Sequence, residues 1–483
     1  MGSGFRLSLA AAAISGVTIL LAGCGGSGSS TVKTTSSQPS SPSSSPSPSG
    51  GGAGITAINH VVILIQENRS FDHYFGQMTA YRQAAGIPIN GSPATIEDLS
   101  TGSYSNYSPA TGGAIAAYHT GSVCTEDLTP DWTETHTNFN RLNPAAAPSS
   151  APMDGFAAIA VGISKWAATL GVQMADQTGR RAMGYFDWND LNYYYFMASE
   201  FALDDHFYAP VPSNTPANRL YLMAATSQGY VHDPPGAGAI TARTIWQELD
   251  AKGVSWKIYV ADASLYTYLQ FFSYYAQPGV PAHVVPLQQY FSDAQAGSLP
   301  AVSFIETGVF ESDSEHTSNF DPAHPANGEV PINVQTGAAW AAGIINALLQ
   351  SPNWADSVLF FAHDEGGGTF DHVPPMPVPN PDGIKPLDLS AADTPGDFTI
   401  TASRVPNMVI SPFTRKNYVS HTPMDYTAYL RFIEARWGLP TLTARDAAMP
   451  DMTEFFDFGA RPWASPPSPP AQNQNGACDF SKQ

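Results

Sequence analysis

Hydrophobic positions cluster most densely in two stretches of the chain. From His60 the sequence reads HVVILIQENRSFDHYFG, in which residues 61–65 are β-branched or Leu. Five such residues are too few for a helix and predict a strand buried on both faces. The run ends at Gln66 and is followed by Glu67 and Asn68. A carboxylate and an amide carbonyl are hard oxygen ligands, and ligands of open α/β sheets bind beyond the carboxyl ends of strands. An Asn N-cap opening a helix fits the same residues equally well. Far downstream, residues 357–365 (SVLFFAHDE) repeat the pattern, with an apolar run ending in Asp364 and Glu365 before three glycines. Two such endings predict one metal site of three carboxylates and one amide.

Between them the periodicity alternates. Residues 191–207 (LNYYYFMASEFALDDHF) are apolar on every face and predict a buried helix. Residues 244–253 have helical spacing and a Gly stop, and 254–260 alternate as a strand. Residues 301–306 and 405–410 predict further strands, and 337–349 an amphipathic helix. Residues 80–125 and 377–397 read as loops, and no internal repeat is present. Residues 211–221 (VPSNTPANRLY) form a hydroxyl-rich, Pro-broken loop running into a helix at 218–225. A hydroxyl there sits among free N–H groups that suit a phosphate, although Ser, Asn and Thr are also ordinary caps.

Composition sharpens the picture. With 43% hydrophobic and 13% charged residues, 483 residues suit one large α/β domain or two smaller ones. The net charge is −20; Arg6 and Lys33 are the only charges in the first 55 residues, so the remainder carries −22. That argues against nucleic acid as a partner and against docking on anionic lipid. Residues 1–23 have the form of an export signal, with a thin basic start and an apolar stretch. Leu21-Ala22-Gly23-Cys24 resembles a bacterial lipobox, which implies a lipid on Cys24 and a membrane-anchored, exported protein; a plain signal peptide is the rival. Residues 24–55 are Gly, Ser, Thr and Pro almost throughout, a flexible tether. Cys124 and Cys478 are left either to pair, tying the Pro-rich tail (466–483) to the body, or to stay free.

The segments ENRSFDHYFG (67–76) and DEGGGTFDHVPP (364–375) resemble the signatures of the bacterial phosphoesterase family. That family holds phosphatidylcholine-type phospholipases C and respiratory-burst-inhibiting acid phosphatases, within the alkaline-phosphatase-like superfamily. The resemblance spans about residues 59–452, within a domain set at 56–465. It implies an α/β three-layer sandwich whose largely parallel central sheet is flanked by helices.

The same resemblance implies the site. Thr215 falls on the family's nucleophile, with Ser213 as runner-up; a Thr hydroxyl is a poor nucleophile at neutral pH and needs a metal beside it. One divalent ion (calcium, magnesium, manganese or zinc) would be held by Glu67, Asn68, Thr215, Asp364 and Glu365. Asn218, Arg219, His136 and His324 would surround the phosphate, with His316 competing for the place of His324. His372 would face the phosphate or support its loop. Two departures stand out: relatives usually carry His at the positions of Pro130 and Gly366. The expected reaction is phosphoester hydrolysis through a phospho-threonine, on phosphodiesters of the phospholipase C kind. The alternatives are an acid phosphatase on monoesters or a non-catalytic surface-anchored binding protein. The Tyr-rich segments, 193–195 and 265–275, could wall a quaternary ammonium head group.

Overall fold

A computed structural model describes residues 54–146, 150–308, 313–320 and 328–483. The signal, the tether before Gly54, Cys24 and His324 lie outside the described residues. Among the described residues, none of the helices is long and apolar enough to cross a membrane.

The two apolar runs lie side by side at the centre of an eight-stranded sheet. In chain order its strands are β1 (His60–Gln66), β2 (Ala202–Asp204), β3 (Trp256–Val260), β4 (Val284–Pro286), β5 (Val302–Glu306), β6 (Ser357–His363), β7 (Asn407–Ile410) and β8 (Tyr418–Ser420). Their spatial order is β8-β2-β7-β6-β1-β5-β3-β4. Strands β1 and β6 pair in parallel from His60 opposite Ser357 to Gln66 opposite His363, so both runs end level. All sheet pairs are parallel except those of β7, which runs antiparallel to β6 and β2.

Alternate residues of the central strands feed two cores. Val61, Ile63, Ile65 and Phe360 face one layer of helices, α3 (Thr215–Ala224), α4 (Ile245–Lys252) and α6 (Thr427–Trp437). Val62, Leu64, Leu359 and Phe361 face the other, α2 (Asn192–Glu200) and α5 (Val334–Leu349). This two-sided burial is why the strands read as unbroken apolar runs. The result is the expected three-layer α/β architecture. A further helix, α1 (Trp132–Phe139), buries Trp132 in the first of these cores and lines the site described below.

The structure redraws some boundaries. The expected helix over 191–207 stops at Glu200, and Ala202–Asp204 enters the sheet as β2. An all-apolar run carries no period that could mark such a division. Helix α3 starts three residues earlier than its pattern suggested, with Asn214 as N-cap and Pro216 in its first turn. Proline is at home there because its missing N–H is not needed. Residues 80–125 are not all loop: a helix continues to Ala85, and Ser105–Ser108 pairs with Gly113–Ala116.

Cys124 and Cys478 form a disulfide with 5.0 Å between their Cα atoms. The tail follows the body closely: Val123 N donates to Ala477 O, and Glu126 N donates to the Gln483 side chain (2.6 Å).

Candidate active site

The chemistry gathers where β1 and β6 end. Asn68 takes a left-handed conformation (φ 54°) that Asn tolerates better than most residues, and this turns the chain sharply after Glu67. Its N–H then donates to Asp364 Oδ1 (3.0 Å), joining the two strand ends. The same oxygen accepts from Glu365 N (2.9 Å). Gly367 (φ 61°) makes this approach possible, since a Cβ there would lie 2.2 Å from Asn68 O.

Helix α3 brings the hydroxyl to these acids. Thr215, its first residue, has Oγ1 3.3 Å from Glu67 Oε2 and 3.1 Å from Asn68 Oδ1. One hydroxyl proton cannot serve two acceptors. Arg219, one turn along, forks between Glu67 Oε1 (2.6 Å) and Asp364 Oδ2 (3.2 Å). It therefore neutralises carboxylates, where the resemblance had set it around the phosphate. Asn218 faces away too: its Oδ1 accepts from Val211 N, and its Nδ2 donates to the carbonyls of Val211, Ser213 and Asn214. It clamps the loop that presents Thr215. Ser213 is committed to that loop as well, donating to Val231 O.

Electrostatics follow from burial. Glu67 is pushed up to about 8 by desolvation first and by Asp364 second, with Arg219 opposing. Desolvation and Asp364 also raise Glu365 well above the carboxylate range. Burial alone would lower Arg219, but Glu67 and Asp364 outweigh it and keep it cationic. Buried like charges with a single guanidinium between them are an arrangement that a further cation relieves.

The oxygens of Glu67, Asn68, Thr215 and Asp364 fit a hard divalent ion. Glu365 is close enough to feel the charges of Asp364 and Glu67. Among the described residues, sets of three acidic or His ligand atoms within 4.8 Å are Asp205–His206–His421, Asp72–Asp371–His372 and His119–Asp187–Asp190; Glu67, Asp364 and Glu365 do not form one. Glu365 Oε2 is taken by Gly367 N (2.5 Å). Glu365 instead lines a small adjoining cavity with Pro130, Thr135, Asn138, Ser213, Gly366 and Ser403 among others. Both positions at which the chain departs from its resemblance, Pro130 and Gly366, border this one space.

The histidines divide. His136 lies on the other face of α1: its Nδ1 bonds Trp132 O (2.7 Å) and its ring lies 4.4 Å from that of Trp132. Burial lowers it to about 4, so it is neutral. Thr135 and Asn138, spaced i and i+3, are the residues of α1 at the cavity. That spacing was visible in the sequence, but no motif marked it. Burial lowers His316, opposed by its bond to Thr317 O (2.6 Å) and, more weakly, by Asp364. Arg69 holds its loop through the carbonyls of Glu315 (2.6 Å) and His316 (2.9 Å). His372 supports its loop, bonded to Asp72 (2.6 Å) and Glu97 (3.1 Å). Of the Tyr-rich segments, Tyr193, Tyr194 and Tyr195 are fully buried core. Tyr268 lies under the Arg219 guanidinium (5.7 Å), and Tyr266 beside it is exposed.

Fold and site together present a hydroxyl set among carboxylates at the end of a mostly parallel central sheet. The chain belongs to the phosphoesterase family, whose model matches residues 58–440, and it acts on phosphoester bonds. It is 29% identical over 466 residues to "Phospholipase C B" of Mycobacterium tuberculosis, covering 86% of this chain and 80% of the relative. "Non-hemolytic phospholipase C" of Burkholderia pseudomallei is 28% identical over 84% of this chain and 60% of its own. "Non-specific phospholipase C4" of Arabidopsis thaliana is 28% identical over 77% and 65%. Among solved structures, an alkaline phosphatase superfamily protein from Vibrio parahaemolyticus overlaps 53% of this chain and 63% of that one, with TM-score 0.31 and 13% identity.

Proposed function

We propose that this chain is a phosphodiesterase of the phospholipase C kind, working through a phospho-Thr215 intermediate. A divalent ion would be held by Glu67, Asn68, Asp364 and Thr215. The observation that carries this reading is the Thr215 hydroxyl at the N-terminus of α3, in contact with Glu67 and Asn68. Its similarity to phospholipases C over most of its length supports the diester as substrate.

Asn218 fixes the loop, so Thr215 Oγ1 is presented without a search through rotamers of the backbone around it. In the first step Thr215 Oγ1 bonds to phosphorus, the bond to the leaving oxygen breaks, and that oxygen takes a proton from solvent. Glu67 Oε2, 3.3 Å from Thr215 Oγ1, is placed to take the hydroxyl proton. The bound ion would supply the positive charge that favours the threonine alkoxide and polarises the phosphoryl oxygen. Arg219 keeps Glu67 and Asp364 apart and oriented. The N-terminus of α3 offers its dipole to the phosphate. Water then attacks phosphorus, the bond from phosphorus to Thr215 Oγ1 breaks, and a proton from that water returns to Thr215 Oγ1.

We also propose that the enzyme is exported and held at the membrane by lipid on Cys24, with residues 25–54 as a leash. The test of the substrate compares nitrophenyl phosphorylcholine with nitrophenyl phosphate, on metal-stripped protein reloaded with single divalent metals. Faster release from the diester is expected. Faster release from the monoester would make it a phosphatase, and release from neither with any metal would favour a non-catalytic binding protein.

A further inference from the structure

Residues 121–126 carry the tail on one side and the wall of the active site on the other. Val123, Cys124, Thr125 and Glu126 are each at most 3% exposed. Two of their N–H groups turn to the tail: Val123 N donates to Ala477 O (3.0 Å) and Glu126 N to Gln483 Oε1 (2.6 Å). Gln483 Nε2 donates in return to the Glu126 carboxylate, and Gly121 N donates to Lys482 O (3.0 Å). Two carbonyls turn to the body: Val334 N donates to Val123 O (3.1 Å) and Ser318 N to Thr125 O (2.7 Å). Among the described residues, the tail brings no apolar side chain to any of the cores. The Cys124–Cys478 bond and these hydrogen bonds are what hold it in place.

The loop that Thr125 supports packs against the two central strand ends. It runs from Asp313, whose carbonyl accepts from Gln66 Nε2 (2.8 Å) at the end of β1, to Ser318. Between them the Glu315 carboxylate lies 2.9 Å from His363 Nε2 at the end of β6 and accepts from Tyr194 OH (2.5 Å). Arg69, fully buried, joins the same groups. Its Nη1 donates to Thr125 Oγ1 (3.4 Å), and its other donors hold Glu315 O and His316 O. A planar guanidinium fixes all three acceptors in one geometry. Arg69 also follows Glu67 and Asn68 directly in the chain. A shift of residues 123–126 is therefore passed through Ser318 and Arg69 to the loop of His316.

We propose that residues 476–483 form an oxidation-dependent strap on the active site. Closing the Cys124–Cys478 bond seats residues 123–126, and Thr125, Ser318 and Arg69 then set the loop of Glu315 and His316 against the ends of β1 and β6. In that step the two thiols give two electrons and two protons to a disulfide donor, which leaves as two thiols. The reverse is open to a reductant because Cys478 is exposed, although Cys124 is buried. With the bond open the fold persists and substrate still binds, but the wall is out of place and turnover slows. Combined with the export proposed above, the strap makes the enzyme fully active only in an oxidising compartment. Its effect on turnover rests on the phosphodiesterase reading; its effect on the loop does not.

The test takes the full chain, with metal in excess and below the melting temperature of its reduced form, and opens the bond with a water-soluble phosphine. Thiol alkylation verifies that reduction is complete. For nitrophenyl phosphorylcholine, kcat should fall roughly tenfold while KM stays within about twofold, because placement and not binding is lost. Oxidised glutathione should restore it. A Cys124→Ser/Cys478→Ser variant should show the low kcat from the start and ignore the phosphine, which separates the bond from any action of phosphine on the metal. Hydrogen exchange reads the strap without activity: the Ser318 and Val334 amides should exchange faster after reduction, while Ile63 in β1 should not change. If oxidised wild type shows no turnover, the phosphodiesterase reading fails and Ser318 exchange alone decides the strap. Unchanged kcat or unchanged Ser318 exchange on complete reduction would each overturn the proposal.

Discussion

Replacing Arg219 by Met tests the charge balance at the strand ends. The guanidinium reaches Glu67 and Asp364 at 2.6 and 3.2 Å, and all three side chains are at most 1% exposed. Removing it leaves two buried carboxylates without their cation, a change that costs about 3–5 kcal/mol. At roughly 2 cal/mol/K of unfolding entropy per residue over 54–483, Tm should fall by about 3–6 °C in chelator. A divalent ion held by the same carboxylates replaces the missing charge. At a thousandfold excess over its Kd it adds about 4 kcal/mol, and it should add more to Arg219→Met than to wild type, where the guanidinium already shares those oxygens. The assay is thermal unfolding of both proteins with chelator and with saturating metal. The gap between them should shrink by more than half when metal is present. A gap of the same size under both conditions would refute the placement of the ion on Glu67 and Asp364.

Two further outcomes follow from the same structure. Cys478→Ser opens a cross-link between residues 354 apart in sequence. Chain entropy gives about 6 kcal/mol for such a loop and native disulfides return about 2–5; a melt unmoved by the change or by reductant would contradict this. His421 bonds both oxygens of Asp205 (2.9 Å) and Pro93 O (2.9 Å), and the hydrogen bond to Asp205 leads in raising its pKa despite partial burial. Because the folded pKa lies above the unfolded one, this stabilisation is complete below about pH 6.5 and fades as pH rises through the folded value. Hydrogen exchange at Glu97, whose N–H donates to Asp205 Oδ2 (2.7 Å), should therefore quicken at pH 8 beyond its intrinsic rate, and His421→Ala should abolish the difference.

The two central strands and the acids at their ends were legible because a strand buried on both faces has no polar interruption until its ligands begin. The level ends of Gln66 and His363 could not be read, since register is set by pairing across almost 300 residues of sequence. Arg219 and Asn218 were found in the sequence, but their tasks were not. Residue type says that a guanidinium binds oxyanions, not whether these belong to phosphate or to neighbouring carboxylates. His136 drew attention as a histidine, whereas helical periodicity put Thr135 and Asn138 on the face that meets the site. Glu365 was grouped with Asp364 because the two are adjacent; the sequence could not show that one of its oxygens would be taken by Gly367 N.

The most direct test of the account is to quench the metal-loaded enzyme in acid while it turns over nitrophenyl phosphorylcholine, then map its peptides by mass spectrometry. The account predicts phosphorylcholine esterified to Thr215, and neither adduct nor turnover in Thr215→Val, which keeps the side-chain shape without the hydroxyl. An adduct on Ser213, or sustained turnover by Thr215→Val, would contradict it.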